Sequence, residues 1–276
     1  MTYKLTRTSY LILISFFSLN VWAQNSEPTL SKDQGSSSVL SDECAESLSF
    51  KQKHIEPVLY RLTDRTSALT LLGGIAAVAA ANPQDDSIRD QWKDHQRMDK
   101  NTSHIGDLMG TGALAILGAG AEYLWDDRDY VYQSHLRGLI YGGVGIYALK
   151  TTFSRPRPGG SENRQSFPSG HTTISFMTAT HLAYAYGWKA ALVAYPVAAF
   201  VGASRLADDA HWFSDVVGGA FLGFMIGRAT FYDENEFYKQ TSEKNQALLS
   251  EKLKIQWDVF PMITLRETGA SLFVSF

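Results

Sequence analysis

Six apolar runs alternate with polar connectors through the middle of the chain, at 68–81, 108–125, 139–149, 173–187, 190–203 and 216–227. All six are rich in alanine, glycine and leucine, a composition that lets helices pack closely in water or in lipid. The pattern predicts an all-α helical bundle over about 66–230. A polar connector at 82–107 separates the first two runs, and a charged link covers about 231–254. The last stretch, IQWDVFPMITLRETGASLFVSF, partly alternates apolar and polar positions around RETGA, which predicts a short β-hairpin-like extension. A lone hairpin cannot close a barrel, so packing against the bundle is its expected use.

The two ends of the chain differ from this middle. MTYKLTR is a basic start, SYLILISFFSLNVW a short apolar core, and VWA before Gln24 a small-residue cleavage site, the form of a secretory signal peptide over 1–23. An uncleaved anchor helix would begin the same way, but this run is shorter than the ~20 residues a span prefers. Residues 24–65 begin as a serine-rich polar leader, followed by the bundle at 66–230 and the link and tail at 231–276. Several apolar runs are also short for a span, and the mean hydropathy is −0.15. Both features favour a water-soluble bundle, secreted across the inner membrane into the periplasm, with membrane contact as the alternative.

Composition narrows the function classes. A net charge of −3 and a pI near 6.2 supply no basic footprint for nucleic acid. The single cysteine, Cys44, allows neither an intramolecular disulfide nor a cysteine-rich metal site. With 45% hydrophobic residues, 276 residues can bury one substantial core. Oligomeric state is not legible from these features.

Candidate chemistry gathers at helix ends. KTTFSRPRP carries Lys150 and Arg157, SFPSGHTT carries Ser169, Gly170 and His171, and SRLADDAHWFSD carries Arg205, His211 and Asp215. If the helices alternate in direction, all three segments fall on one side of the bundle. Lys150, Arg157 and Arg205 supply cations, and the guanidinium fork suits phosphate oxygens. Ser169 and the Gly170 N–H stand where a helix begins, a ready anion site. His211 and Asp215 lie four apart on one helical face, so the carboxylate can orient one ring nitrogen and leave the other free to attack. His171 is a second imidazole, able to protonate a leaving oxygen. Taken singly, each segment also fits a capped helix or a solvated helix end. Asp208 and Asp209 read as caps of the next helix, and His54, His95, His104, His135 and His181 as surface or packing residues.

Together K-x6-RP, PSGH and SR-x5-H-x3-D resemble the signature of the type 2 phosphatidic acid phosphatase superfamily, which includes bacterial acid phosphatases, lipid phosphate phosphatases and vanadium haloperoxidases. The resemblance covers about 150–215. It implies an all-helical core and a phosphohistidine mechanism with no metal and no other cofactor. By motif, His211 would be the nucleophile, Asp215 its orienting partner and His171 the general acid. Lys150, Arg157, Ser169, Gly170 and Arg205 would bind the phosphoryl oxygens. The implied partner is a phosphorylated, lipid-linked substrate such as a phosphatidate or an isoprenoid diphosphate. A broad-specificity soluble acid phosphatase is the alternative, with a vanadate haloperoxidase or a silent envelope protein behind it. One position departs from the family pattern: Asp209 stands where relatives often have glycine. Its charge is expected near the phosphate entrance, where it would disfavour highly anionic substrates.

Overall fold

The computed structural model describes residues 49–160 and 162–255, so the expected signal peptide, most of the polar leader and nearly all of the hairpin-like tail lie outside the described residues. The described residues are helical, with no strand among them. In chain order the helices are α1 (Phe50–His54), α2 (Glu56–Thr63), α3 (Arg65–Ala81), α4 (Asp85–Asp94), α5 (Lys100–Gly110), α6 (Ala113–Trp125), α7 (Asp129–Phe153), α8 (Gly170–Tyr186), α9 (Trp188–Ala207), α10 (Phe213–Thr230) and α11 (Glu234–Ile255). Two compact units divide at residue 233. The second contains α11, which replaces the charged link expected there.

Local chemistry sets the boundaries. Asp64 caps α3 by accepting from the Ser67 N–H at 2.8 Å, and Asp99 caps α5 through the N–H groups of Asn101 and Thr102. Between α8 and α9 the chain reverses on one residue, Gly187, at φ 80° and ψ −168°. That conformation is open essentially to glycine alone. The polar connector at 82–107 folds as a 3-10 turn at Asn82–Gln84 followed by α4 and most of α5. Polarity hid these helices because they carry charge into the site rather than apolar surface into the core.

Six helices, α3 and α6 to α10, run alternately between two ends of the bundle. One end carries Asp85, Lys150, Gly170, Arg205 and His211. The other carries Asp64, Glu122, His181 and Arg228. Helices α8 and α10 pack most intimately. A Cβ on Gly219, Gly223 or Gly227 would stand 2.7 Å, 2.3 Å and 2.7 Å from the carbonyl oxygens of Ser169, Thr173 and Met177. The stripe repeats every four residues, so only glycine lets α10 lie on the α8 backbone.

Small residues fill much of the inside around Phe176, Met177, Phe221 and Phe224, while many large apolar residues face outward. Ala179, Ala198, Ala220, Thr172, Thr173 and Thr180 are buried, whereas Leu72 is 63% exposed, Leu117 67%, Ile140 66% and Leu192 69%. Burying such a side chain is worth roughly 1.5–3 kcal/mol, so water would be a poor solvent for this surface. Two helical stretches, 65–94 and 188–207, are long and apolar enough to cross a membrane by length and composition. The water-soluble surface suggested by the low mean hydropathy is therefore not what these helices present. Charge concentrated at the helix ends and in the connectors lowers the average.

Candidate active site

The site assembles where four long helices end or begin, beyond their apolar runs. Lys150 lies in the last turn of α7, and its Nζ donates to the Gln165 carbonyl at 2.5 Å. Ser169 is the N-cap of α8, wholly buried, and its N–H donates to the Asp215 carbonyl at 3.0 Å. Gly170 and His171 open α8, and Arg205 is buried in the last turn of α9. His211 is buried in the loop before α10, and Asp215 is wholly buried in the first turn of that helix.

These groups lie close enough for each to feel the charges of others. His171 feels the charges of Arg205, Asp107, His211 and Arg157, and His211 feels those of Asp215, Arg157 and Lys150. Burial pushes the His211 pKa below its ordinary value, and the nearby cations reinforce this against the pull of Asp215. Burial and Arg205 likewise lower His171, which keeps Asp107 as a counter-charge. Burial and then Arg157 bring Lys150 down to about 8. The buried Nε of Arg157 has no hydrogen-bond partner among the described residues.

Asp215 is held from four directions. Its Oδ1 accepts from Arg155 at 2.6 Å, while its Oδ2 accepts from Ser166 Oγ at 2.5 Å and from the Trp212 N–H at 2.9 Å. The His211 Nδ1 lies 3.6 Å from Oδ2, within ion-pair reach but longer than a hydrogen bond. Burial alone would raise the Asp215 pKa, but these donors and the Arg155 charge outweigh it and keep the carboxylate ionised. With Nδ1 turned to Asp215, Nε2 is the nitrogen left for attack.

Several residues that position this site carry no signal in the three segments. Arg155 sits inside the first segment, two places before Arg157, and bridges Asp215 to Asp85 through its second nitrogen at 2.7 Å. Asp85 in turn accepts from the Ser214 N–H at 2.8 Å and from its hydroxyl at 2.6 Å. Asp107 of α5 lies 3.1 Å from His171 Nε2 and also accepts from Arg205. Only the spacing of KTTFSRPRP could have flagged Arg155. Asp85 and Asp107 needed the folded connector.

The aspartates before His211 do not cap α10. Asp208 pairs with Arg205 at 2.6 Å, and the cap is made by Asp215 reaching back to the Trp212 N–H. Asp209 takes the left-handed conformation at φ 51°, where aspartate is tolerated in place of glycine. Its charge is not free at the entrance, because Arg89 grips it through two bonds of 2.6 Å and 2.8 Å and Lys93 lies 3.0 Å away. Those hydrogen bonds hold its pKa below the usual carboxylate range although burial pushes it up. The residue ties α4 to the loop carrying His211.

Part of the chain is similar to known proteins. Residues 134–239 match the model of the PAP2 superfamily. A lipid A 1-phosphatase of Porphyromonas gingivalis is 30% identical over 172 residues, covering 59% of this chain and 38% of that protein. A PA-phosphatase related-family protein of Dictyostelium discoideum is 31% identical over 86 residues, covering 26% of this chain and 32% of that protein. The chain thus matches about a third of the length of each of these relatives. Among solved structures, a transmembrane PAP2 type phosphatidylglycerolphosphate phosphatase from Bacillus subtilis aligns with a TM-score of 0.46 at 20% identity, over 63% of this chain and 96% of that one.

Proposed function

This chain belongs to the PAP2 superfamily, and from that premise we propose that it is a phosphatase acting on a lipid-linked phosphate through a phosphohistidine at His211. The observation that carries the reading is the buried, neutral-leaning His211 beside an ionised Asp215, in the field of Lys150 and Arg157, with Arg205 beside His171.

In this reading the phosphoryl oxygens lie against Lys150, Arg157, Arg205, Ser169 and the N–H groups that open α8. The His211 Nε2 attacks phosphorus as the bond to the leaving oxygen breaks, and His171 gives that oxygen a proton. Asp215 stabilises the charge that appears on His211. Water then attacks the phosphohistidine with His171 taking its proton, which releases phosphate and restores both imidazoles. No step calls on a metal ion.

Lipid as the substrate class is supported by the outward-facing leucines and isoleucines of α3, α6, α7 and α9, and by the similarity to the lipid A 1-phosphatase of Porphyromonas gingivalis. The same belt supports membrane association. A periplasmic site follows from the export signal expected at 1–23, whereas three full crossings by α3, α6 and α7 would turn the site to the cytoplasm. In a Cys44→Ser background, Glu162→Cys should react with a membrane-impermeant thiol reagent in intact cells. Reaction only after permeabilisation would place the site in the cytoplasm.

The activity test is phosphate release, in chelator, from a lipid A-type phosphate, an isoprenoid diphosphate and a soluble aryl phosphate, each with a His211→Ala control. The lipid substrates should be strongly preferred, and the control should lose at least about 10³-fold. Equal or faster cleavage of the aryl ester would replace this reading with a soluble acid phosphatase.

A further inference from the structure

At the end of the bundle away from the phosphate site, Glu122 of α6, His135 of α7 and His181 of α8 meet in the interior. His135 is 0% exposed, His181 1% and Glu122 6%. Glu122 Oε2 lies 3.0 Å from His135 Nδ1, and Oε1 lies 2.9 Å from His181 Nε2. The two imidazoles stack, with centroids 4.3 Å apart and planes at 21°. His181 stands eleven residues beyond Gly170 on α8, about 16 Å along the helix. The triad therefore belongs to a different layer from His171 and His211.

Hydrogen bonding alone leaves this cluster unbalanced. Among the described residues the ion pairs of Glu122 are with the two imidazoles, and the charge of the buried Arg137 reaches His181. Protonating both rings would set two cations face to face at 4.3 Å. Keeping both neutral leaves the carboxylate charge uncompensated, and protonating one ring balances it only by holding a proton between that ring and the carboxylate, the place a metal ion would take. The buried His181 Nδ1 has no hydrogen-bond partner among the described residues. A single divalent cation shared by all three side chains supplies the missing charge. The ligand atoms lie within 4.8 Å of one another; opening the nitrogen–oxygen pairs by about 0.3–0.5 Å and rotating one ring out of the stack would let 2.0–2.2 Å metal bonds form. The outer nitrogen of His135, Nε2, meets Thr178 Oγ1 at 3.3 Å, the kind of contact that orients a ligating imidazole.

We propose that Glu122, His135 and His181 bind a divalent transition-metal ion of the zinc class, a structural site that fastens α6, α7 and α8 together at the end remote from the phosphate site. Two imidazoles and one carboxylate are a donor set for such ions rather than for calcium or magnesium. The ion takes no part in phosphoryl transfer.

The test uses the full chain purified in detergent and dialysed with Zn2+ or Co2+, followed by metal analysis, the visible spectrum of the Co2+ form and the melting temperature. Wild type should retain stoichiometric metal, give cobalt ligand-field bands and melt higher with metal than after stripping. Glu122→Gln and His181→Gln keep hydrogen-bonding groups near the originals but remove a ligand, so each should lower metal retention at least about tenfold. The idea is overturned if wild type retains no metal. Retention undiminished in both variants overturns it too, since the ion would then sit elsewhere. None of these readouts involves a substrate, so they stand or fall separately from the phosphatase reading.

Discussion

The two ends of the bundle are both built from buried charge, yet they are finished differently. At the α1–α2 end, Arg228 donates to Asp64 Oδ2 at 2.5 Å, to Asp64 Oδ1 at 3.2 Å and to Ser67 Oγ at 3.1 Å, while Arg61 donates to the Arg228 carbonyl at 2.9 Å. That guanidinium and its carboxylate answer each other, although Arg61 adds a second cation there and the Arg228 Nε has no hydrogen-bond partner among the described residues. At the other end the carboxylates are clamped, while two of the cations whose charge His211 feels, Lys150 and Arg157, form no ion pair with a carboxylate among the described residues. Lys150 has a carbonyl as its hydrogen-bond partner, the Arg157 Nε has none among the described residues, and Arg205 is held by Asp107 and Asp208. A charge network closed on itself resists unfolding. Cations that no carboxylate answers leave room for an anion.

The sharpest way to break this contrast is Arg155→Ala. It removes the bridge between Asp85 and Asp215 without touching a group that meets phosphate, and it leaves two carboxylates unpaired. Activity should fall roughly 100-fold, mainly in kcat, with a stability loss of about 3 kcal/mol seen in denaturant melts. Arg155→Lys should restore part of the stability but little of the rate, because one ammonium cannot reach both carboxylates in the fork geometry.

At the closed end, Asp64→Asn should do the opposite. It should lower stability by about 2 kcal/mol while kcat and KM per folded molecule stay unchanged. Burial raises the Asp64 pKa, but the bonds from Arg228 and Ser67 prevail and hold it below the ordinary carboxylate value. Its contribution is therefore full at neutral pH and is lost as pH falls through that depressed value. Acid melts of the variant and wild type should converge there.

A smaller effect separates binding from proton transfer within the open end. Asp107 supports the protonated form of His171, whose pKa burial and Arg205 push down. In Asp107→Asn the basic limb of the kcat/KM profile should move to lower pH by several tenths of a unit, with a loss of only a few fold at the optimum. In wild type the acid limb should lie below the ordinary histidine value near 6.5, because His211 must be neutral to attack and burial keeps it so.

Much of this protein was legible before any fold. Five of the six apolar runs correspond to single long helices and the other, 108–125, is split between α5 and α6 at Thr111 and Gly112. The spacing of K-x6-RP, PSGH and SR-x5-H-x3-D placed eight residues at what became one end, because alternating helices carry such end segments to the same side. The boundaries of α8, α9 and α10 follow from glycine, from Ser169 and from the Asp215 cap, all local events. Tertiary structure alone decided the rest. Asp85, Arg89, Lys93 and Asp107 lie in a connector whose polarity gave no periodicity to read, and their partners Arg155, Asp209, His171 and Arg205 are dozens of residues away. His135 and His181, unremarkable in sequence, became a buried pair only because Glu122 arrives from α6. Even the exposure of the leucines was undecided by composition, since an amphipathic helix shows which side it buries only when its neighbours are in place. Local backbone chemistry determines where helices start and stop, whereas pairing of distant charges requires the chain to have closed.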